Sequence, residues 1–135
     1  MLTIKISQWV LRISALLGLI LGILFWTNTS DPGNVPQSFS TLGLIHIVLG
    51  ILVVLSLWTL GIAQGLRGGP FGLAVATFVW GLITLAVGLF QVNLLPGSAH
   101  WVIQVIHLIL GLGAIGLGEM VAGRAKRRAS KPMVA

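Results

Sequence analysis

Cysteine is absent from this chain of 135 residues, and acids nearly so: Asp31 and Glu119 are the two. Without cysteine there are no disulfides, no thiolate catalysis, no Cys-ligated zinc, no iron–sulfur cluster and no c-type haem attachment. With two acids, neither of them in the middle of an apolar stretch, a proton-coupled transport path lacks its usual carboxylate. No Ser/His/Asp triad or phosphate-binding loop can be assembled either. Charge as a whole is scarce, at 7% of residues, where a soluble domain carries about a quarter. The chain has too little polar material to coat a globule.

What is present is apolar and comes in long blocks. Hydrophobic residues make up 56% of the chain and the mean hydropathy is +1.05; about 20 such residues in a row cross a bilayer as a helix. Spans are expected at about Trp9–Trp26, Phe39–Ala63, Phe71–Val92 and Ser98–Ala122. The connectors read as turns, with two prolines and a glycine in "TNTSDPGNVPQS", a Gly-rich "QGLRGGP", and Pro96-Gly97-Ser98 in the third. "TNTSDPG" has no A-x-A-like cleavage site, so the first span is read as a helix and not a signal peptide. The fold expected is an all-α membrane protein: one domain, a four-helix transmembrane bundle running up-down-up-down, built from two tandem hairpin repeats.

Basic residues give the orientation. Lys5 and Arg12 lie near the start, Arg67 in the second connector, and Arg124, Lys126, Arg127, Arg128 and Lys131 in the stretch 123–135, while the first and third connectors have none. By the positive-inside rule both termini and the middle connector face the cytoplasm of a multi-pass protein in the cell membrane. The net charge of +6 is concentrated just after a span, which favours anionic headgroups of the lipid bilayer over nucleic acid. Arg12 is read as snorkelling to the interface. Glu119 is read as an interfacial acid within reach of Arg124 or Lys126, and Asp31 before Pro-Gly as ordinary turn chemistry.

The signal that carries chemistry is a repeated heptapeptide. "LIHIVLG" (Leu44–Gly50) and "VIHLILG" (Val105–Gly111) share the histidine and the glycine at one offset, and elsewhere keep or exchange aliphatics. A parallel repeat about an axis normal to the membrane makes His46 and His107 symmetry mates. At 1.5 Å per residue both lie roughly 10 to 14 Å below the outer surface. In a ring of four helices the second and fourth are diagonal, about 13 Å apart, leaving room between two imidazoles for a flat group. Gly50 and Gly111 follow the histidines by one turn on the same face, and Gly43 precedes His46 by three residues, so the three clear a strip beside the ligands. Gly18 and Gly22 are read as small-residue packing positions; Gly81 and Gly88 could also admit a close approach.

Ionisable residues inside a span are functional candidates by default, and neutral imidazole is a good metal ligand. Zinc needs three or four protein ligands, which this level of the chain does not offer. Haem iron needs two. The reading is therefore haem b with His46 and His107 as axial ligands and metal-binding residues. His100, at the outer edge beside Trp101, caps the site, replaces His107 at a shallower level, or is an interfacial histidine; Gln104 orients His107, meets a propionate, or bonds to a neighbouring helix. Trp9, Trp26 and Trp101 are anchors at the interfaces.

With these residues the chain resembles the four-helix membrane b-type cytochromes, and in particular one half of the haem A synthase family, whose second and fourth helices supply the two histidines. The resemblance covers nearly the whole chain. It implies haem binding and electron transfer; exchange of electrons with quinol or an outer-side redox protein, haem sensing and haem handling all stay open as the role. The departures are that one half is present instead of two, and that Gly43 stands where the family has a carboxylate one turn before a ligand histidine, so haem hydroxylation is not carried over and an enzyme is not expected. Two alternatives stand beside it: a non-haem small membrane subunit or assembly factor whose histidines hold helices together, and a small transporter. Homodimerisation or membership of a larger complex is open.

Overall fold

The computed structural model describes residues 1–28 and 37–129. Four α-helices follow in order: α1 (Leu2–Asn28), α2 (Gln37–Gly65), α3 (Phe71–Phe90) and α4 (His100–Ala129), with a 3-10 turn over Gln91–Asn93. There is no strand among the described residues. Asp31, Asn34, Lys131 and the end of the chain from 130 lie outside the described residues.

Each helix is long and apolar enough to cross a membrane. The helices overrun the expected spans at the end that carries the termini: α1 begins at Leu2 instead of Trp9, and α4 continues to Ala129 instead of stopping near Ala122. Hydropathy marks where apolar residues stop, but backbone hydrogen bonding continues as long as the residues are good helix formers, as Ala, Lys and Arg are. Lys126, Arg127 and Arg128 also occupy the last turn of α4, where cations oppose the negative end of the helix dipole.

The helices form an up-down-up-down bundle. α2 packs on α1, α3 and α4, whereas α1 and α3 do not touch among the described residues. The cross-section is thus a rhombus with α2 and α4 on its short diagonal. Small residues of α4 let its neighbours close in: Ala114 is fully buried, and a side chain at Gly118 would stand 2.8 Å from Leu11 Cδ1 on α1 and 3.6 Å from Leu57 Cδ1 on α2. Leu11, Leu57, Leu60, Val121 and Ala122 complete a core that leans toward the end holding the termini. Large apolar side chains such as Leu16, Ile20, Leu44, Phe71 and Ile109 are exposed, on a scale a water-soluble surface rarely shows.

Contacts between chain ends fix the topology. The guanidinium of Arg67, in the α2–α3 turn, lies 3.1 Å from Met1 Sδ, and that of Arg128 donates to the Gly68 carbonyl. The N-terminus, the middle turn and the end of α4 therefore gather at one end, here the terminal end; the other two connections form the loop end. The middle turn requires a glycine: Gly68 has φ 71°, and the Gly69 amide donates back to the Gln64 carbonyl at 3.0 Å.

In a bilayer apolar burial does not drive helices together, so shape and hydrogen bonds must. Two indoles do both. Trp58 Nε1 donates to the Phe78 carbonyl on α3 at 3.1 Å, its ring stacked on Phe78 at 4.7 Å, and a side chain at Gly81 would collide with it. Trp80 Nε1 donates to the Leu110 carbonyl on α4 at 2.9 Å, its ring lying against Gly113. Packing is thus the observed role of both tryptophans.

Candidate functional site

The short α2–α4 diagonal brings the two histidines close together. The rings of His46 and His107 have centroids 6.2 Å apart and planes inclined at 61°. The ring expected from the sequence, with its wide diagonal gap, is corrected: among the described residues α1 and α3 stand apart and α2 packs directly on α4. The closer spacing still has a chemical meaning. A histidine nitrogen sits about 2.0 Å from a bound first-row metal, so two imidazoles on opposite sides of one ion put their ring centres roughly 6 Å apart.

Each imidazole also has a glycine beneath it. A side chain at Gly88 on α3 would come 2.8 Å from His107 Cε1, so only glycine lets α3 run under that ring. Gly22 on α1 is less tightly filled: its missing side chain would lie 3.6 Å from His46 Cε1. Phe25 closes on His46 edge-on, with centroids 5.7 Å apart. Nδ1 of His46 and Nδ1 of His107 are both buried and have no hydrogen-bond partner. Such atoms are rare in folded proteins and each calls for an explanation.

Both histidines line a cavity of about 240 Å³ between α1, α2 and α4. Gly50 and Gly111 belong to its wall, and a side chain built at either would meet nothing within 4 Å. His100 and Gln104 stand at its loop end with Gln91; His100 Nδ1 lies 3.3 Å from the Leu94 carbonyl. Of the residues singled out in the sequence, His46, His107, Gly50, Gly111, His100 and Gln104 thus share one cavity. Gly43 is not among its lining residues. Gly18 and Gly22 are: sequence reasoning read them as packing positions, and a side chain built at Gly18 would lie 3.9 Å from Leu49 Cβ, yet both also form the α1 wall. The signal that could have placed them is their spacing of four residues, which aligns them on one face.

At the terminal end lies a second polar cluster of a different kind. Arg12 grips Glu119 with two hydrogen bonds, of 2.6 and 2.7 Å; Gln8 Nε2 donates to the same carboxylate at 2.7 Å, and Lys126 Nζ donates to Gln8 Oε1 at 2.5 Å. Glu119 therefore pairs with Arg12 across the bundle, and not with Arg124 or Lys126 as its sequence neighbourhood suggests. The clue was available: a lone cation in the first apolar block and a lone acid in the last each need a partner. Among the described residues no group of three or more His, Asp or Glu could hold a metal ion. Searches of family models, curated proteins and solved structures give no match to this chain.

Proposed function

We propose that the chain binds one haem b between His46 and His107 and serves in electron transfer or haem handling at the membrane. The observation that carries this reading is the facing pair itself: two imidazoles at 6.2 Å on one cavity, each with a buried ring nitrogen that has no protein partner. His46 is also hydrogen-bonded to the Gly18 backbone on α1, so Nδ1 is its nitrogen without a protein partner. Gly50 and Gly111 fit the same reading, because nothing fills the space their missing side chains leave.

In this reading His46 and His107 would hold the haem through their ring nitrogens, since haem iron needs only two ligands from the protein. Bound iron would supply a reversible one-electron change. Gly88 and Gly22 hold the two rings at their depth. Gln91, His100 and Gln104 offer polar contacts at the loop end, where carboxylates of a haem would meet no fixed cation. Orientation follows from the positive-inside rule: a multi-pass protein with the terminal end cytoplasmic and the cavity toward the outer half of the membrane. Quinol or an outer-side redox protein would then be the electron partner.

The test is the visible spectrum of the detergent-purified protein, reduced minus oxidised. Sharp low-spin haem bands are expected, lost in His46→Ala and in His107→Ala. A colourless protein after expression with added haem would overturn the reading and leave the histidines as packing residues.

A further inference from the structure

The cavity is walled mainly by α1, α2 and α4, with Thr84 of α3 and the Gln91–Asn93 turn completing it. Along α1, Ile4, Ser7, Gln8, Leu11 and Ser14 are buried, and no later described residue of that helix is. Up to Ser14, α1 is clasped to α4 by Leu11 against Gly118 and by the Arg12–Glu119 pair. Beyond it the two helices become the facing walls of the cavity, α1 with Gly18, Leu19 and Gly22, α4 with Leu108, Gly111 and Leu112.

The depth of this seam decides what can pass through it. Leu112 lines the cavity and is still 50% exposed, and it stands about 18 Å along α4 from its first residue at 1.5 Å per residue. In a spanning helix that level is hydrocarbon. The seam is mostly apolar between α1 and α4, with Ser14 and Thr84 at its deep end and a larger polar group, Gln91, His100 and Gln104, at the loop end. A flat molecule with an apolar body and one polar edge matches that order. At about 240 Å³ the cavity is below the ~300–1,000 Å³ of most small-molecule sites, so the walls must part to admit one.

We infer that this site exchanges its ligand with the bilayer, sideways between the loop-end halves of α1 and α4, while the Arg12–Glu119 clasp holds the other ends together. The inference rests on the haem reading and adds the route by which the haem is loaded. The chain has no cysteine, so two introduced thiols are the only ones that react. The double variant Leu19→Cys, Leu112→Cys, reconstituted without haem, is mixed with vesicles that carry haem, before and after bridging with a short bis-maleimide. Uptake by the unbridged double variant sets the reference, and bridging beforehand is expected to slow uptake at least tenfold relative to it. Bridging after loading should leave the spectrum intact and slow haem loss to empty vesicles to a similar degree. Equal uptake with and without the bridge would overturn the route and place entry at the loop-end water. Absence of uptake by the wild type overturns the haem reading and this inference together. The same bridge at Ile23→Cys, Leu108→Cys separates a blocked seam from damage done by one pair of substitutions.

Discussion

The two ends of this bundle treat polar groups in opposite ways. At the terminal end, Arg12, Glu119, Gln8 and Lys126 satisfy one another across α1 and α4, over a core in which Leu11, Leu57 and Val121 are fully buried. At the loop end, two buried imidazole nitrogens have no partner and the wall beside them is glycine. The closed region pairs its ionisable groups and holds the helices together, although Gln64 at the same end is buried with both amide atoms unpaired. The open one leaves chemistry available. Holding α1 to α4 at one end is what permits them to stand apart at the other.

The sharpest way to break this comparison is to disturb the interlocked part of the bundle. A methyl at Gly113 would stand 2.3 Å from Trp80 Cζ2, and that ring is fixed by its hydrogen bond to Leu110. Gly113→Ala should cost about 1–3 kcal/mol, the usual penalty for overpacking, read as a lower midpoint in thermal unfolding in detergent. An unchanged midpoint would mean that the indole is free to turn away. Comparable in size is Gln8→Ala, which removes a buried bridge between Glu119 and Lys126; hydrogen bonds to charged groups contribute about 1.5–3 kcal/mol each, less where water can replace the partner. Its stability should fall while the haem spectrum of the protein that remains folded is unaltered. A loss of haem without loss of stability would show that the two ends are not separable.

Much of this architecture was legible in the sequence because its causes are local. Four apolar blocks and three turn-forming connectors dictate four helices, and a duplicated His and Gly in matching frames mark the diagonal pair. The spacing of that pair was not legible. It depends on α2 and α4 meeting across the bundle while the described residues of α1 and α3 do not, a property of the whole helix arrangement. The Arg12–Glu119 pair escaped for the same reason: its partners are 107 residues apart, and near Glu119 the sequence offers closer cations. Gly22 and Gly88 show the limit from the other side. Each could be seen as a place of close approach, but what approaches, His46 in one case and His107 in the other, is set by helix rotation, which glycines do not announce.

The smallest expected effect is the most discriminating. At Gly50 and Gly111 a methyl meets nothing within 4 Å, so Gly50→Ala and Gly111→Ala should leave stability unchanged or raise it by up to about 1 kcal/mol, the propensity difference between the two residues in a helix. A glycine that served helix packing would behave like Gly113, losing stability with its first added carbon. Extending the side chain separates space from packing further: Gly50→Leu should keep the unfolding midpoint of the wild type within about 1 kcal/mol, since helix propensity favours leucine over glycine, yet fail to develop haem bands. A Gly50→Leu protein that unfolds early would assign this glycine to the bundle. One that is stable and still takes up haem would move the ligand to another part of the cavity wall.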